Sequence, residues 1–262
     1  MVKDNMTEET KKVPSLIDEI SADLGIYTEP NLLKDDLGSL LDTASANMDG
    51  IKKYQQLLSN VRYAWQKTLK YTHYFNTFYP PTDTEIENFE ALNHHIHAYL
   101  QDMTILKNKI GVLLGEMKND IKKVAANKEE IDAFFKAGVE KTKEVFGGVS
   151  EHRDTHHHRG MRFFDGDLLR AENAHGELKI LSTVFREMLN PEYKDELFAK
   201  LEKEKLESFE TGKTRWIEMA QKNDEQASGY LNALLDGIRP SLYQFLRIKP
   251  VREVIDDAGK KI

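Results

Sequence analysis

The stretch "TDTEIENFEALNHHIHAYLQDMTILKNKIGVLLGEMKND", residues 82–120, limits what this chain can become more than any other. Ile86, Phe89, Leu92, Ile96, Tyr99, Leu100, Met103, Leu106, Ile110 and Leu113 recur at steps of three and four. At 3.6 residues per turn this spacing puts them on one stripe of a long helix, with the charged residues opposite. Thr and Asp at its start are cap candidates. An apolar stripe this long has to be covered by other helices.

The neighbouring segments can supply that cover. Residues 33–79 have helical spacing and end at Pro80-Pro81, where neither residue can donate a helix hydrogen bond. Residues 128–146 repeat the pattern with Ile131, Phe134, Phe135, Val139 and Val145, and stop at Gly147-Gly148. A further helix over 167–189 is stopped by Asn190-Pro191, and a charged one follows over 192–238. A short helix begins at Pro240. Near the N-terminus, "SLIDEISADLG" reads as a short helix ending at Gly25 and followed by Pro30. With 15 Gly and 7 Pro in 262 residues, and no strand-length alternation of β-branched residues, the fold class is all-α: an antiparallel helical bundle with a C-terminal helical extension. The expected organisation is a mobile tail and short helix over 1–35, the bundle over 36–190, and the extension packed on it over 191–262.

Composition removes several function classes. The absence of cysteine excludes disulfides, thiolate metal sites and thiol catalysis. A net charge of −7 argues against coating nucleic acid through bulk charge, so any anion site has to be local. The first residues lack the apolar core of a signal peptide, and no run approaches the roughly 20 apolar residues that span a bilayer. The expectation is a cytoplasmic protein with no membrane partner. Aromatic and apolar positions over 61–113 exceed what one bundle face needs, which points to a homodimer. Tyr63, Trp65, Tyr71, Tyr74, Phe75, Phe78 and Tyr79 crowd one helix end, as core, interface or, beside a basic groove, base-stacking surface.

One stretch stands apart: "SEHRDTHHHRGMRFFDGD", residues 150–167, holds four of the nine histidines and three arginines. Over residues 151–162, Arg153, Arg159 and Arg162 against Glu151 and Asp154 leave a charge of +1, rising to +5 with all four imidazoles protonated. On an acidic chain this is an anion-attracting patch. Ser150 is a cap candidate for a helix of about ten residues ending before Gly160. On such a helix His152, His156 and Arg159 share one face and Arg153 and His157 another, with His158 about 140° from Arg153.

Arg153, Asp154 and His158 fit the arginine, polar residue, spacer, histidine signature of HEPN domains, so the region resembles that family of all-α bundles, many of which are ribonucleases. The resemblance reaches at most residues 40–190. It implies metal-independent cleavage of RNA at a cleft shared by two protomers, with no cofactor and no action on DNA, which lacks the attacking 2′-hydroxyl. Arg153 would stabilise the phosphorane, His158 would be the acid/base and Asp154 would orient one of them. By helical geometry His157, not His158, faces with Arg153, so either ring is a candidate. The chemistry suits the residue types: an imidazole with an ordinary pKa of about 6.5 exchanges protons near neutrality, and a guanidinium holds developing negative charge. His152, His156, Arg159 and Arg162 would add anion contacts.

Two other readings stand beside this one. In the first, the bundle is non-catalytic and binds a partner or a small anionic ligand; the histidines then hydrogen-bond Asp165 and Asp167, and the arginines pair with the acidic surface. In the second, His152 and His156 ligate a divalent metal with Asp165, Asp167 or His175 completing the site. Against a metal, position 153 is a cation where the HExxH pattern has glutamate. A further trio, His94, His95 and His97, lies within the long helix, with His94 and His97 on one side.

Overall fold

The structure, a computed structural model, describes residues 15–29, 45–81, 84–149, 165–183 and 191–259. Among them every regular element is a helix and no strand occurs: α1 (Ser15–Thr28), α2 (Met48–Thr68), α3 (Tyr71–Thr77), α4 (Asn88–Val124), α5 (Lys128–Val145), α6 (Gly166–Thr183), α7 (Pro191–Leu246) and α8 (Val251–Gly259). The all-α expectation therefore holds. None of these helices is long and apolar enough to cross a membrane.

The described residues form two compact units that cut across chain order. The first gathers those up to Leu69, then Ile105–Gly147, then those from Glu225 onward; the second gathers Lys70–Thr104 and those within Gly148–Asp224. Helices α4 and α7 contribute to both.

In the first unit α1 is part of the core, with Ile17, Ile20 and Leu24 buried to 1% exposure or less. It continues through Gly25, where the sequence suggests a stop, and ends at Thr28. Gly25 costs about 1 kcal/mol in a helix interior, which burial of Leu24 and Tyr27 on either side outweighs. Asp23, buried on the same face, accepts from the Tyr243 hydroxyl at 2.5 Å and from the Val251 N–H at 3.1 Å, tying α1 to α7 and α8. Along α5 and α7, Gly138 approaches Leu234, Thr142 meets Tyr230 at 2.5 Å, and Phe134 lies over Gly237. These pairs run in opposite order along the two helices, so α5 and α7 are antiparallel. Asp120 on α4 accepts from Tyr54 at 3.0 Å, Lys53 at 2.7 Å and Lys123 at 2.6 Å. Burial pushes that carboxyl up, but the hydrogen bonds from Lys123, Lys53 and Tyr54 outweigh it and hold it below the usual range.

Helix α7 runs through Pro240 to Leu246, although a helix start is expected at that proline. Pro240 removes one backbone hydrogen bond, while Ile238, Leu242, Tyr243 and Leu246 stay buried around it. The stop comes at Arg247, whose φ of 56° is left-handed. There the Ile248 N–H reaches back to the Tyr243 carbonyl at 3.1 Å, closing the helix end in the manner usual for glycine.

The first turn of α2 is equally constrained. Asn47 caps it by accepting from the Gly50 N–H at 3.0 Å, and a Cβ at Gly50 would lie 2.8 Å from both Leu246 Cδ2 and the Asn47 side chain. Gly115, on the exposed side of α4, has nothing within 4 Å. Opposite signs follow for one substitution. Gly50→Ala should destabilise by about 1–3 kcal/mol through overpacking, and Gly115→Ala should stabilise by up to about 1 kcal/mol through helix propensity. Urea unfolding of both variants checks this; equal effects would mean that the Gly50 contact is not tight.

Candidate functional site

Most of the residues singled out for chemistry, namely His152, Arg153, Asp154, His156, His157, His158, Arg159 and Arg162, lie outside the described residues. Their C-terminal flank is described in detail, and it belongs to the second unit.

That flank is built around Asp165, which is buried at the N-terminus of α6. Its Oδ1 accepts the Asp167 N–H at 2.9 Å and the Leu168 N–H at 3.1 Å, so it is the N-cap of the helix. Its Oδ2 accepts the Trp216 indole N–H at 2.8 Å and the Arg215 guanidinium, both from α7. Four donors match the four lone-pair positions of a carboxylate. Asp167, also buried, takes the other arm of Arg215 at 2.6 Å, and Arg170 from its own helix. Burial alone would push the Asp165 carboxyl up. The hydrogen bonds of Leu168, Arg215 and Trp216, with the Arg215 charge, outweigh it and hold the group below its ordinary range.

Behind this junction lies an aromatic core. Trp216 packs edge-on against Phe75 with centroids 6.5 Å apart, and Phe75 against Tyr99 at 5.8 Å. Tyr71 donates to the buried Asp102 at 2.7 Å, and Tyr99 accepts from Asn223 at 3.1 Å. Tyr71, Phe75, Phe89, Ile96 and Tyr99 are core residues here and Trp65 is buried in the first unit, while Phe78 and Tyr63 stay exposed at 54% and 67%. On α6 and α7, Leu168 meets Gly212 and Ala174 and Leu178 pack with Leu201, an antiparallel pairing that fixes α6 against the residues carrying Arg215.

No family model, curated protein or solved structure matches this chain. Any function must therefore be argued from its own residues.

Asp165 and Asp167 stand on opposite arms of one guanidinium, which serves as their counter-charge. Bringing a divalent cation to them means displacing Arg215 or enduring its repulsion. His175 sits elsewhere on α6, with Nδ1 3.4 Å from Glu87 and its ring 5.7 Å from that of Phe89. Among the described residues no group of three or more His, Asp or Glu is arranged to hold a metal ion. His94 is exposed beside His95, with ring centroids 6.0 Å apart, and His95 bonds the Phe78 carbonyl. Sequence reasoning missed Arg215 and Trp216: they lie 50 and 51 residues from Asp165, and nothing local to "GKTRWIEMA" marks their partner.

Because the Asp165 carboxyl is depressed in the folded protein, its contribution to stability is complete above the ordinary carboxylate range and is lost as pH falls through the lower folded value. Asp165→Asn should flatten the loss of stability below about pH 4, and Asp165→Ala should cost about 3 kcal/mol at neutral pH by uncapping α6 and leaving Arg215 with Asp167 alone. Denaturant titrations from neutral to acid pH test both; a wild-type-like acid limb in Asp165→Asn would refute the assignment.

Proposed function

We propose that this protein binds a phosphate-bearing ligand, RNA foremost, through the arginine and histidine cluster of residues 152–162, and that the ligand is cleaved there without a metal ion. The carrying observation is the cluster itself: Arg153, Arg159 and Arg162 with four histidines on a chain of net charge −7. Supporting it, the next acidic residues, Asp165 and Asp167, are already matched by Arg215, Arg170, Trp216 and the α6 backbone. The fit of Arg153, Asp154 and His158 to the HEPN signature supports RNA over other polyanions and a two-protomer cleft.

In this reading Arg153 stabilises the charge that develops on the phosphorane oxygens, His157 or His158 takes the 2′-hydroxyl proton as that oxygen attacks phosphorus, and a second imidazole of the cluster protonates the 5′-oxygen as its bond to phosphorus breaks. The other imidazoles and Arg159 and Arg162 hold the strand. Cleavage should persist in chelator, leave 2′,3′-cyclic phosphate ends and spare DNA. Arg153→Ala should slow it about a hundredfold, in line with the loss of one transition-state donor, and only one of His157→Ala and His158→Ala should be comparably severe. Binding without cleavage over a wide pH range would leave an anion-binding protein. Cleavage that chelator abolishes, with metal lost in a His152→Ala/His156→Ala variant, would give the site to a divalent ion. A monomer in sedimentation at micromolar concentration would contradict the shared cleft.

A further inference from the structure

The second unit carries a patch of aromatic rings outside its core. At the end of α3 and on the facing turns of α4, His73, Tyr74, Phe78, His94 and His95 form one run of ring contacts. His73 lies 5.6 Å from Phe78, Phe78 5.1 Å from Tyr74, Tyr74 6.2 Å from His95, and His95 6.0 Å from His94. His73, Phe78 and His94 are exposed, and Tyr74 and His95 are half-buried.

The patch is preformed. Phe78 is held by its N–H to the Tyr74 carbonyl at 3.2 Å and by its own carbonyl, which accepts from His95 Nε2 at 2.9 Å. A carbonyl only accepts, so the His95 proton sits on Nε2 in this contact. Beneath it, Tyr74 leans on the buried Tyr71 at 5.4 Å, and Tyr71 is fixed by Asp102. Rings held this way lose little freedom when a ligand covers them.

We propose that this patch is a base-stacking platform for single-stranded RNA, a proposal that rests on RNA being the ligand of the cluster. Bases recognised outside a duplex stack on Phe, Tyr and His rings, and imidazole nitrogens beside them can also bond base edges. A second copy of the chain is a poorer occupant. Five partly exposed rings offer a few hundred Å² by the usual aromatic areas, against about 800 Å² per partner in a stable interface. That area suits one or two bases. Phosphate affinity then comes from the cluster and base affinity from the platform.

The two contributions separate in a binding experiment on the full chain, using fluorescence anisotropy with a short single-stranded 2′-O-methyl RNA, whose blocked 2′-oxygens cannot attack phosphorus, and the same strand carrying abasic positions. Phe78→Ala should weaken binding of the intact strand about tenfold, within the range of one lost stacking contact. It should leave the abasic strand and the salt dependence unchanged, and Phe78→Trp should retain the affinity. Arg153→Ala should weaken both strands and lower the salt slope by about one. If Phe78→Ala binds like wild type while Arg153→Ala is weakened, the platform is refuted and the cluster reading survives; the reverse pattern refutes the cluster alone. Equal losses on intact and abasic strands, or a dimer that Phe78→Ala dissociates without changing RNA affinity, would also overturn the platform, and absence of any RNA binding would overturn both.

Discussion

A single buried carboxylate organises the second unit. Asp165 takes two backbone N–H groups from the first turn of α6 and two side-chain donors from α7, Arg215 and Trp216. A buried charge is tolerated only when it is paired and its lone pairs are filled, and removing a partner commonly costs about 3–5 kcal/mol. The arrangement therefore fixes where α6 begins, how α7 is rotated, and which face of Trp216 meets Phe75. The first unit uses the same device in Asp23 with Tyr243 and in Asp120 with Tyr54 and two lysines. In each, a carboxylate on one helix chooses a donor on another, giving directional contacts that apolar burial alone does not supply.

Much of the helical layout was legible because it is periodic. In α4 the stripe from Phe89 to Leu113 is buried throughout. Its first expected member, Ile86, is 57% exposed because it precedes the helix, which starts at Asn88 after the Glu87 N–H is bonded by the Glu90 carboxylate. Gly25 and Pro240 misled for a shared reason: local stop signals weigh about 1–3 kcal/mol, and tertiary burial of the flanking apolar residues offsets them. The short helix expected within residues 1–35 is α1, but a local reading could not assign its buried face to a partner more than 200 residues away.

The candidate site was legible as composition and hidden as geometry. The run from His152 to Arg162 announces itself by density of charge and imidazole, whereas Arg215 carries no sequence mark of its pairing with Asp165 and Asp167. The aromatic run over 63–79 was visible too, but the sequence could not sort its members. Trp65, Tyr71 and Phe75 went inward as core while Phe78 stayed out beside His73. That sorting follows from helix phase, and Tyr71 also meets a buried acceptor in Asp102.

On the proposed function the arginines of this region are of two kinds: Arg215, whose charge is matched by Asp165 and Asp167, and Arg153, Arg159 and Arg162, whose charge would meet the ligand. Arginine side-chain NMR distinguishes them directly, through the Nε–Hε resonances of nitrogen-15-labelled protein titrated with single-stranded RNA. The expected result is a saturable shift of the Arg153, Arg159 and Arg162 resonances with that of Arg215 unmoved. Shifts at Arg215 with Arg153 unmoved, or no shift at any of the four, would contradict it.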